Sequence, residues 1–369
     1  MRNVVFLSSP ELWKRGFGPN HPLKPDRLQR TYELLDELGA LKAPNVQVIE
    51  PRTIEENELA LFHTQEYISA VRSMSKGERL VRAYRFGFGP GDNPIFAGMF
   101  ESSQLKVSSS LKGAKMLVNN ECDVAFSYSG GLHHAGPDFA SGFCVFNDAA
   151  VAIHWLIRQG LRVAYVDIDV HHGDGVQNAF YDSDKVLTIS LHQSGYTLFP
   201  GTGFVDEVGT GDGEGYSVNI PLPPNTDDDT YLWAFRQVVP QMVRRFKPDI
   251  LVTQLGVDTH YLDPLASLAL TTHGQKALFE ELYRLSPCWL ALGGGGYNVD
   301  VVPRAWALAF SVMSNQTFPE ELPLGYRNRY GGKWLEDHET PNISHQVRDQ
   351  TRRRLEEVVN SVKARHAIE

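Results

Sequence analysis

The sequence predicts an α/β protein whose parallel sheet is covered by helices on both faces, and three observations carry that prediction. From about residue 147 onward strand-like runs alternate with helical patterns, the signature of strand-helix-strand units. No composition break resembles an interdomain linker, and no repeat recurs at solenoid spacing. The 42% hydrophobic and 21% charged residues are near the globular average, so disorder and low-complexity scaffolds are poor readings. One domain spanning residues 1–369 is the simplest organisation.

Each element has its own warrant. Asp26 to Leu38 reads as a helix with apolar Leu28, Leu34, Leu35 and Leu38, and Ile54 to Val71 and Ile95 to Val118 read as two more. Between them Tyr84 to Asn93, with Gly87, Gly89, Gly91 and Pro90 and followed by Pro94, marks a surface loop. Asn147 caps an amphipathic run that stops at Gly160, and residues 161–170 are strand-like. Further strands are expected at Val186 to Leu191, Tyr216 to Pro221, Asp249 to Val257 and Trp289 to Leu292. Helices are expected at Asp228 to Phe246, with Thr226 and Asp227 as caps, and at His273 to Leu285. From about Glu320 the chain is polar and ends in a charged helical pattern with Arg352, Arg353 and Arg354, read as a solvated helix packed on the outside.

Charge and cysteine usage narrow the function classes. A net charge of −9 argues against a general grip on nucleic acid or anionic lipid and favours a cationic substrate. Cys122, Cys144 and Cys288 are too few and too scattered for a disulfide framework or a CxxC metal site, which fits a reducing compartment. The apolar run Val4 to Leu7 is too short for a signal peptide, and no stretch approaches the roughly 20 apolar residues that span a bilayer. A cytoplasmic location is the expectation.

The chemistry concentrates in four strings. In Asp167-Ile-Asp-Val-His171-His172-Gly-Asp174-Gly, a period-two strand would project Asp167, Asp169 and His171 to one side at the strand's carboxyl end. Two carboxylates that close are costly unless a cation sits between them. Asp258, closing the buried run 249–258, offers a third ligand, and one His with two Asp leaves a coordination position open, as catalytic sites do. Ser129-Gly-Gly-Leu-His133-His134-Ala-Gly136-Pro137 brings adjacent imidazoles that can divide base and acid work, with Asp167 and Asp174 available to fix their tautomers. Leu292 to Asn298 carries four glycines that lack both nucleotide-loop patterns; they let Tyr297 approach the metal, where a phenol can donate to an oxyanion. A lone Asp at a strand end is as often a cap and a lone His more often structural, so the argument rests on their combination.

Together with Gly-Phe-Cys-Val-Phe-Asn-Asp, Phe-Pro-Gly-Thr-Gly and Gln-Leu-Gly-Val-Asp, these strings resemble the zinc-dependent histone deacetylase family. The nearest branch is the bacterial deacetylases known as acetoin utilization proteins, similar to class I enzymes. The likeness runs from His21-Pro-Leu-Lys-Pro-Asp-Arg27 to about Trp306, leaving 320–369 as a polar helical extension. It implies the three-layer α/β/α arginase/deacetylase fold with an eight-stranded, mainly parallel sheet. By the same likeness Asp169, His171 and Asp258 match zinc ligands, and Fe(II) would also suit so carboxylate-rich a set. His134 matches the general base, His133 the neighbour that manages the leaving amine, and Tyr297 the carbonyl-polarising phenol. Asp167 and Asp174 match the carboxylates that orient the histidines.

The resemblance further implies a substrate tunnel walled by Phe143, Phe199 and Leu265, with Gly142 and Gly295 among the substrate-binding positions. Asp92 matches the rim acid that holds the substrate backbone, although its setting, Gly-Pro-Gly-Asp-Asn-Pro, departs from the family. Arg27 matches an internal arginine below the site, where acetate leaves; a buried salt bridge is its other reading. Structural potassium would lie at Asp167, Asp169, His171, Ser190 and Leu191, with a second at Phe180, Ser183, Val186 and Tyr216. The implied reaction is hydrolysis of the acetyl amide of acetyl-lysine in a protein or peptide.

Three rivals stand beside it. Acetylpolyamine amidohydrolases tend to carry a longer entrance insertion, which residues 75–100 lack. A two-manganese ureohydrolase would want an Asp-x-His-x-Asp pattern and more paired aspartates, whereas here His260 follows Asp258 by two residues. A catalytically dead acyl-binding homologue would have lost Tyr297 or a ligand.

Overall fold

The structure is a computed structural model that describes residues 1–78, 80 and 82–369. In chain order its elements are β1 (Val4–Leu7), α1 (Asp26–Glu37), β2 (Val46–Ile49), α2 (Glu56–Leu59), α3 (Gln65–Ser75), α4 (Met99–Val118), β3 (Val124–Ser127), α5 (Asp148–Arg158), β4 (Val163–Asp167), α6 (Asp174–Ala179) and β5 (Val186–Gln193). There follow β6 (Ser217–Leu222), α7 (Asp228–Phe246), β7 (Ile250–Gln254), α8 (Thr272–Leu285), β8 (Trp289–Leu292), α9 (Val302–Ser314), α10 (Leu324–Tyr330) and α11 (His345–His366). Eight strands form one sheet in the order β2-β1-β3-β8-β7-β4-β5-β6, and every pair is parallel.

Alternation along each strand feeds two cores, so both faces must be covered. Val4, Phe6, Ala164, Val166, Leu251 and Ala291 pack with α1, α7, α8, α9 and α11 on one side. Val5, Leu7, Val163, Tyr165, Val252 and Leu290 pack with α4 and α5 on the other. This is the predicted layered arrangement. Helix starts follow local chemistry: Asn147 accepts from the amide of Ala150, and Asp227 from that of Thr230.

Several expected boundaries are corrected. The helix expected over 54–71 is broken into α2 and α3, because Thr64 caps α3 by accepting from Tyr67 N while its own amide donates to Pro137 O at 2.8 Å. The helix expected from Ile95 begins at Met99. The strand expected over 161–170 stops at Asp167, and the run after Gly296 does not enter a helix until Val302. Strands β1, β2 and β3, four residues each, went unrecognised.

The C-terminal extension forms α10 and α11, and α11 buries Thr351, Leu355, Val359 and Val362 while Arg353 and Arg354 face solvent. Asp337 ties the extension down. Its carboxylate accepts from Thr272 N at 2.9 Å, His260 Nε2 at 2.7 Å and Arg304 Nη1 at 2.9 Å. Burial by itself would raise the Asp337 pKa, but the His260 hydrogen bond and charge and the Arg304 charge hold it well below the usual carboxylate range. A depressed folded pKa means that the stabilisation is complete above the unfolded value of about 3.9 and is lost as pH falls through the folded value. Asp337→Asn is expected to lower unfolding free energy at neutral pH by about 1–3 kcal/mol. It should also flatten the loss of stability below about pH 4, which urea melts at neutral and acid pH will read.

Candidate functional site

Strands β3, β8, β7 and β4 lie side by side and end at Ser127, Leu292, Gln254 and Asp167. The segments that follow them, 129–134, 293–297, 255–258 and 168–174, therefore meet at one edge of the sheet, where open α/β sheets collect their ligands.

Asp169, His171 and Asp258 converge there, each offering one ligand atom and all of these within 4.8 Å of one another. His171 Nδ1 lies 3.1 Å from Asp169 Oδ1 and 3.1 Å from Asp258 Oδ2. Strand period is not the cause. Beyond Asp167 the backbone turns onto side-chain acceptors: Asp169 N donates to Asp167 Oδ1 (3.1 Å), Val170 N to Asp258 Oδ1 (2.9 Å) and His171 N to Asp169 Oδ1 (3.0 Å). Asp167 consequently faces other partners and does not join the triad, correcting the expectation that all three project to one side.

The residues present fit a divalent cation. Two oxygen donors and one imidazole are a hard-to-borderline donor set, and the surrounding backbone makes room for it. A Cβ on Gly295 would stand 2.0 Å from Asp258 Oδ2, and one on Gly256 would stand 2.2 Å from Asp169 Oδ2. The chain's own electrostatics ask for positive charge. Burial and the Asp169 charge push Asp258 up to about 7. Burial would lower His171, yet the hydrogen bonds and charges of the two carboxylates push it up to about 10. Gln254 Nε2, at 2.5 Å, and Gly295 N, at 2.7 Å, fix the other oxygen of Asp169. Gly295→Ala is therefore expected to weaken metal binding by about 10- to 100-fold, read by competition with a chromophoric chelator.

The two histidines sit beside this triad, each with its own carboxylate. His133 Nδ1 lies 2.7 Å from Asp167 Oδ2, which also accepts from the Tyr165 hydroxyl at 2.7 Å. His134 Nδ1 lies 2.6 Å from Asp174 Oδ1, and the two Nε2 atoms are 3.0 Å apart. Their environments push the pair apart. Burial and the charge of His133 lower His134 to about 4; burial opposes but the Asp167 and Asp169 charges raise His133 to about 9. Without a metal's own charge, these environments favour the pair's proton on His133 and a neutral His134.

The start of α5 holds the histidine loop. Asn147, read from sequence as a helix cap, also donates to the carbonyls of His133 and Ala135 at 3.2 and 3.0 Å. Asp148 accepts from Gly131 N and Leu132 N at 3.0 and 2.8 Å. Neither Asp148 nor Gln254 was recognised as supporting the site; a fully buried acid or amide next to a catalytic loop is the signal that could have found them.

Tyr297 is half-buried, its ring centroid 6.4 Å from that of His171. Burial, with the charges of Asp258 and Asp169, holds its phenol well above the usual value and so protonated. Gly296, at φ 135°, supplies the turn before it. The Asp263 carboxylate accepts from Tyr297 N at 2.8 Å and from Leu265 N at 3.0 Å, joining the phenol to the half-buried Leu265. Asp263 also went unrecognised.

Aromatic rings line the approach. Phe199 stands edge-on to His134 at 5.0 Å, and Phe143, at φ 67°, stands 5.6 Å from Tyr297 and 4.5 Å from His21. A Cβ on Gly142 would lie 2.4 Å from the His134 ring. Asp92 is exposed, and its carbonyl rather than its carboxylate bonds His21 Nε2 at 3.0 Å. Arg27 is buried, donates to Gly296 O at 3.0 Å and lies 5.1 Å from the Trp306 ring centroid. It makes no salt bridge among the described residues, which removes that reading.

The residues implied for potassium fall in two places. Asp167 pairs in register with Ser190, one residue from Leu191. Ser190 Oγ lies 2.8 Å from His192 Nδ1, whose Nε2–H donates to Gly203 O at 2.9 Å, so the serine proton points to the ring and its lone pairs stay free. Phe180, Ser183, Val186 and Tyr216 gather near the start of β5, with Ser183 N on Phe180 O and Thr188 N on Tyr216 O.

Two buried carboxylates so near one imidazole make a donor set suited to a divalent cation, at the sheet end where α/β enzymes carry their sites. Residues 21–313 match the histone deacetylase domain, and the chain belongs to the histone deacetylase family. Acetoin utilization protein AcuC of Bacillus subtilis (strain 168) is 40% identical over 335 residues, covering 88% of this chain and 85% of that protein. Histone deacetylase 19 of Arabidopsis thaliana is 35% identical over 364 residues, 98% of this chain and 72% of that one. The crystal structure of an HDAC homolog from Aquifex aeolicus superposes with a TM-score of 0.87 at 31% identity, covering 97% of this chain and all of the other. A crystal structure of an HDAC homolog complexed with SAHA superposes equally well, also with a TM-score of 0.87.

Proposed function

We propose that this enzyme hydrolyses the acetyl amide of acetyl-lysine in a protein or peptide, acting in the cytoplasm as one domain over residues 1–369. Asp169, His171 and Asp258 would hold the catalytic ion, taken to be zinc. That ion supplies Lewis acidity to an acyl carbonyl and to a water molecule. Tyr297 donates its phenolic hydrogen to the same carbonyl oxygen, and strengthens that bond as the oxygen gains charge. His134, whose Nδ1–H is committed to Asp174, keeps its Nε2 lone pair and takes the proton of the attacking water. Hydroxide adds to the carbonyl carbon, the C–N bond breaks, and the nitrogen leaves with a proton that His133 supplies, giving free lysine and acetate. Asp167 and Asp174 hold the two rings in these roles. Potassium at Asp167, Asp169, His171, Ser190 and Leu191, and at Phe180, Ser183, Val186 and Tyr216, would brace the strands behind the site.

The observation that carries the reading is the meeting of a buried Asp-His-Asp triad, a carboxylate-held histidine pair and a neutral phenol at one sheet edge. We take the substrate to be a polypeptide rather than a polyamine, a reading supported by exposed apolar side chains near the candidate substrate residues. Loops leading to Asp92, Phe199 and Asp263 expose Ile95, Tyr196 and Leu262, with Tyr196 86% exposed, and such apolar area suits a peptide backbone and side chains better than a polycation. Phe143, Phe199, Leu265, Gly142 and Gly295 would guide the lysine stem, and the Asp92 carboxylate would hold the substrate backbone.

Acetate release from an acetyl-lysine peptide and from an acetylated polyamine, measured in parallel on the zinc-loaded protein, tests this. Peptide turnover that disappears on chelation and in Tyr297→Phe supports it. Preference for the polyamine replaces the substrate and keeps the mechanism; release from neither overturns the deacetylase reading.

A further inference from the structure

No step of the chemistry above uses His260, which is buried and stands two residues past the ligand Asp258. Its ring is nevertheless the point where the C-terminal extension reaches the site. Nε2–H donates to Asp337 Oδ2 at 2.7 Å. The Asp337 side chain, only 6% exposed, is itself fixed from other sides. Thr272 N donates to Oδ2 at 2.9 Å, Arg304 Nη1 donates to Oδ1 at 2.9 Å, and Asp337 N returns a bond to Thr272 Oγ1 at 2.8 Å. Thr272 opens α8 and Arg304 lies in α9, so two core helices hold the carboxylate that meets His260.

His260 holds the loop that leads to the phenol. Its carbonyl accepts from Asp263 N at 2.9 Å, and the Asp263 carboxylate accepts from Tyr297 N at 2.8 Å. Three hydrogen bonds in series therefore join Asp337 to the backbone of Tyr297. His260 and Asp263 are buried, and Asp337 and Tyr297 half-buried, so water competes little for these bonds. Four glycines precede Tyr297, and such a backbone has little stiffness of its own and depends on bonds from outside. Asp258 is not on this path. Val257 N donates to Gly295 O at 3.0 Å, Gln275 Nε2 to Val257 O at 3.0 Å, and Val170 N to Asp258 Oδ1 at 2.9 Å, which gives the ligand anchors of its own. The series thus bears on the phenol and spares the metal position, and a hydrogen bond to a developing oxyanion is sensitive to small displacements of its donor.

Building on the deacylase reading above, we infer that His260 and Asp337 are positioning residues for Tyr297, which makes the C-terminal extension part of the catalytic unit.

The test uses the full chain at equal metal content. His260→Leu should keep bound metal at the wild-type level and lower kcat on an acetyl-lysine peptide about tenfold, but by about threefold or less in a Tyr297→Phe background. His260→Gln, which keeps a donor near the Nε2 position, should recover most of the rate. Asp337→Asn should lower kcat in the same direction as His260→Leu and covers the case in which the leucine variant fails to fold. Amide hydrogen exchange needs no turnover. Exchange at Tyr297 N should quicken at least about tenfold in His260→Leu and in Asp337→Asn, while Gly295 N, held by Asp169, exchanges as in wild type. An equal loss of kcat in both backgrounds would mean a general structural role and overturns the assignment, as does exchange at Tyr297 that neither variant alters. No turnover by metal-loaded wild type would sink the deacylase reading instead, and the exchange rates would still decide whether the extension positions Tyr297.

Discussion

Asp258→Asn is expected to reduce bound metal below one-tenth of the wild-type content and to lower acetyl-lysine peptide turnover by about three orders of magnitude or more, equivalent to about 4 kcal/mol of transition-state stabilisation. The geometry predicts this loss in two ways. Among the described residues Asp258 Oδ2 is one of two carboxylate oxygens within 3.1 Å of the His171 ring nitrogen, so its replacement halves the anionic charge available to a cation. Its other oxygen accepts from Val170 N, and the amide that replaces it can turn an N–H toward that donor and disturb the backbone between Asp169 and His171. Stability behaves differently. Asp258 is fully buried and its pKa is pushed up to about 7 by burial and by Asp169, which opposes folding of metal-free protein at neutral pH, while its hydrogen bond and charge help to hold His171 protonated, which favours it. Because these two effects oppose each other, metal-free Asp258→Asn should melt close to metal-free wild type, whereas metal should raise the melting temperature of wild type alone. Turnover that persists at wild-type rate in protein shown to lack metal would remove the triad from the mechanism.

The later half of the chain was legible because its elements are long and carry their own punctuation. Asp228 to Phe246 was read residue for residue, since Asp227 caps it and acids and arginines sit at the correct ends. The first three strands carry no comparable signal. Val4–Leu7 and Val124–Ser127 are four buried residues each, too short to display a period, and β2 lies at the sheet edge with Gln47 and Val48 exposed. Their existence is decided by pairing across more than 40 residues of sequence, Val4 with Val46 and Val4 with Val124, which local patterns do not contain.

Within the site the ligands were legible and the reason given for them was not. Asp169 and His171 were placed on one side of an extended strand, yet the strand ends at Asp167, and amide-to-carboxylate hydrogen bonds then coil the backbone around the cation position. A run of Asp residues at a strand end competes with the ladder for its own amides, which is a local rule the residues did announce. Asp263 is a harder case. Its partners Leu265 and Tyr297 are separated from it by two and by 34 residues, and only the assembled loops show that one carboxylate sets both.

Tyr297→Phe and His134→Ala separate the two halves of the proposed chemistry. Tyr297→Phe removes one hydrogen and leaves the ring against Phe143 and His171, so peptide binding should survive. The loss belongs to kcat, about 10²- to 10³-fold, because the phenol's hydrogen bond matters most when the carbonyl oxygen carries charge. His134→Ala removes the proton acceptor and leaves Asp174 without its ring partner and His133 Nε2 facing space. A fall in kcat of about 10²- to 10⁴-fold is expected, and kcat should not recover with rising pH, since no neutral imidazole remains to be formed at that position. The double variant discriminates further. If phenol and imidazole serve one transition state, as the shared carbonyl requires, their losses will not add, and Tyr297→Phe made in the His134→Ala background will cost less than it does alone. Full additivity would mean that the two residues act in separate steps, and the phenol would then have to be assigned to substrate entry or product release. Rate measurements on the four proteins, with metal content held equal, decide between these outcomes.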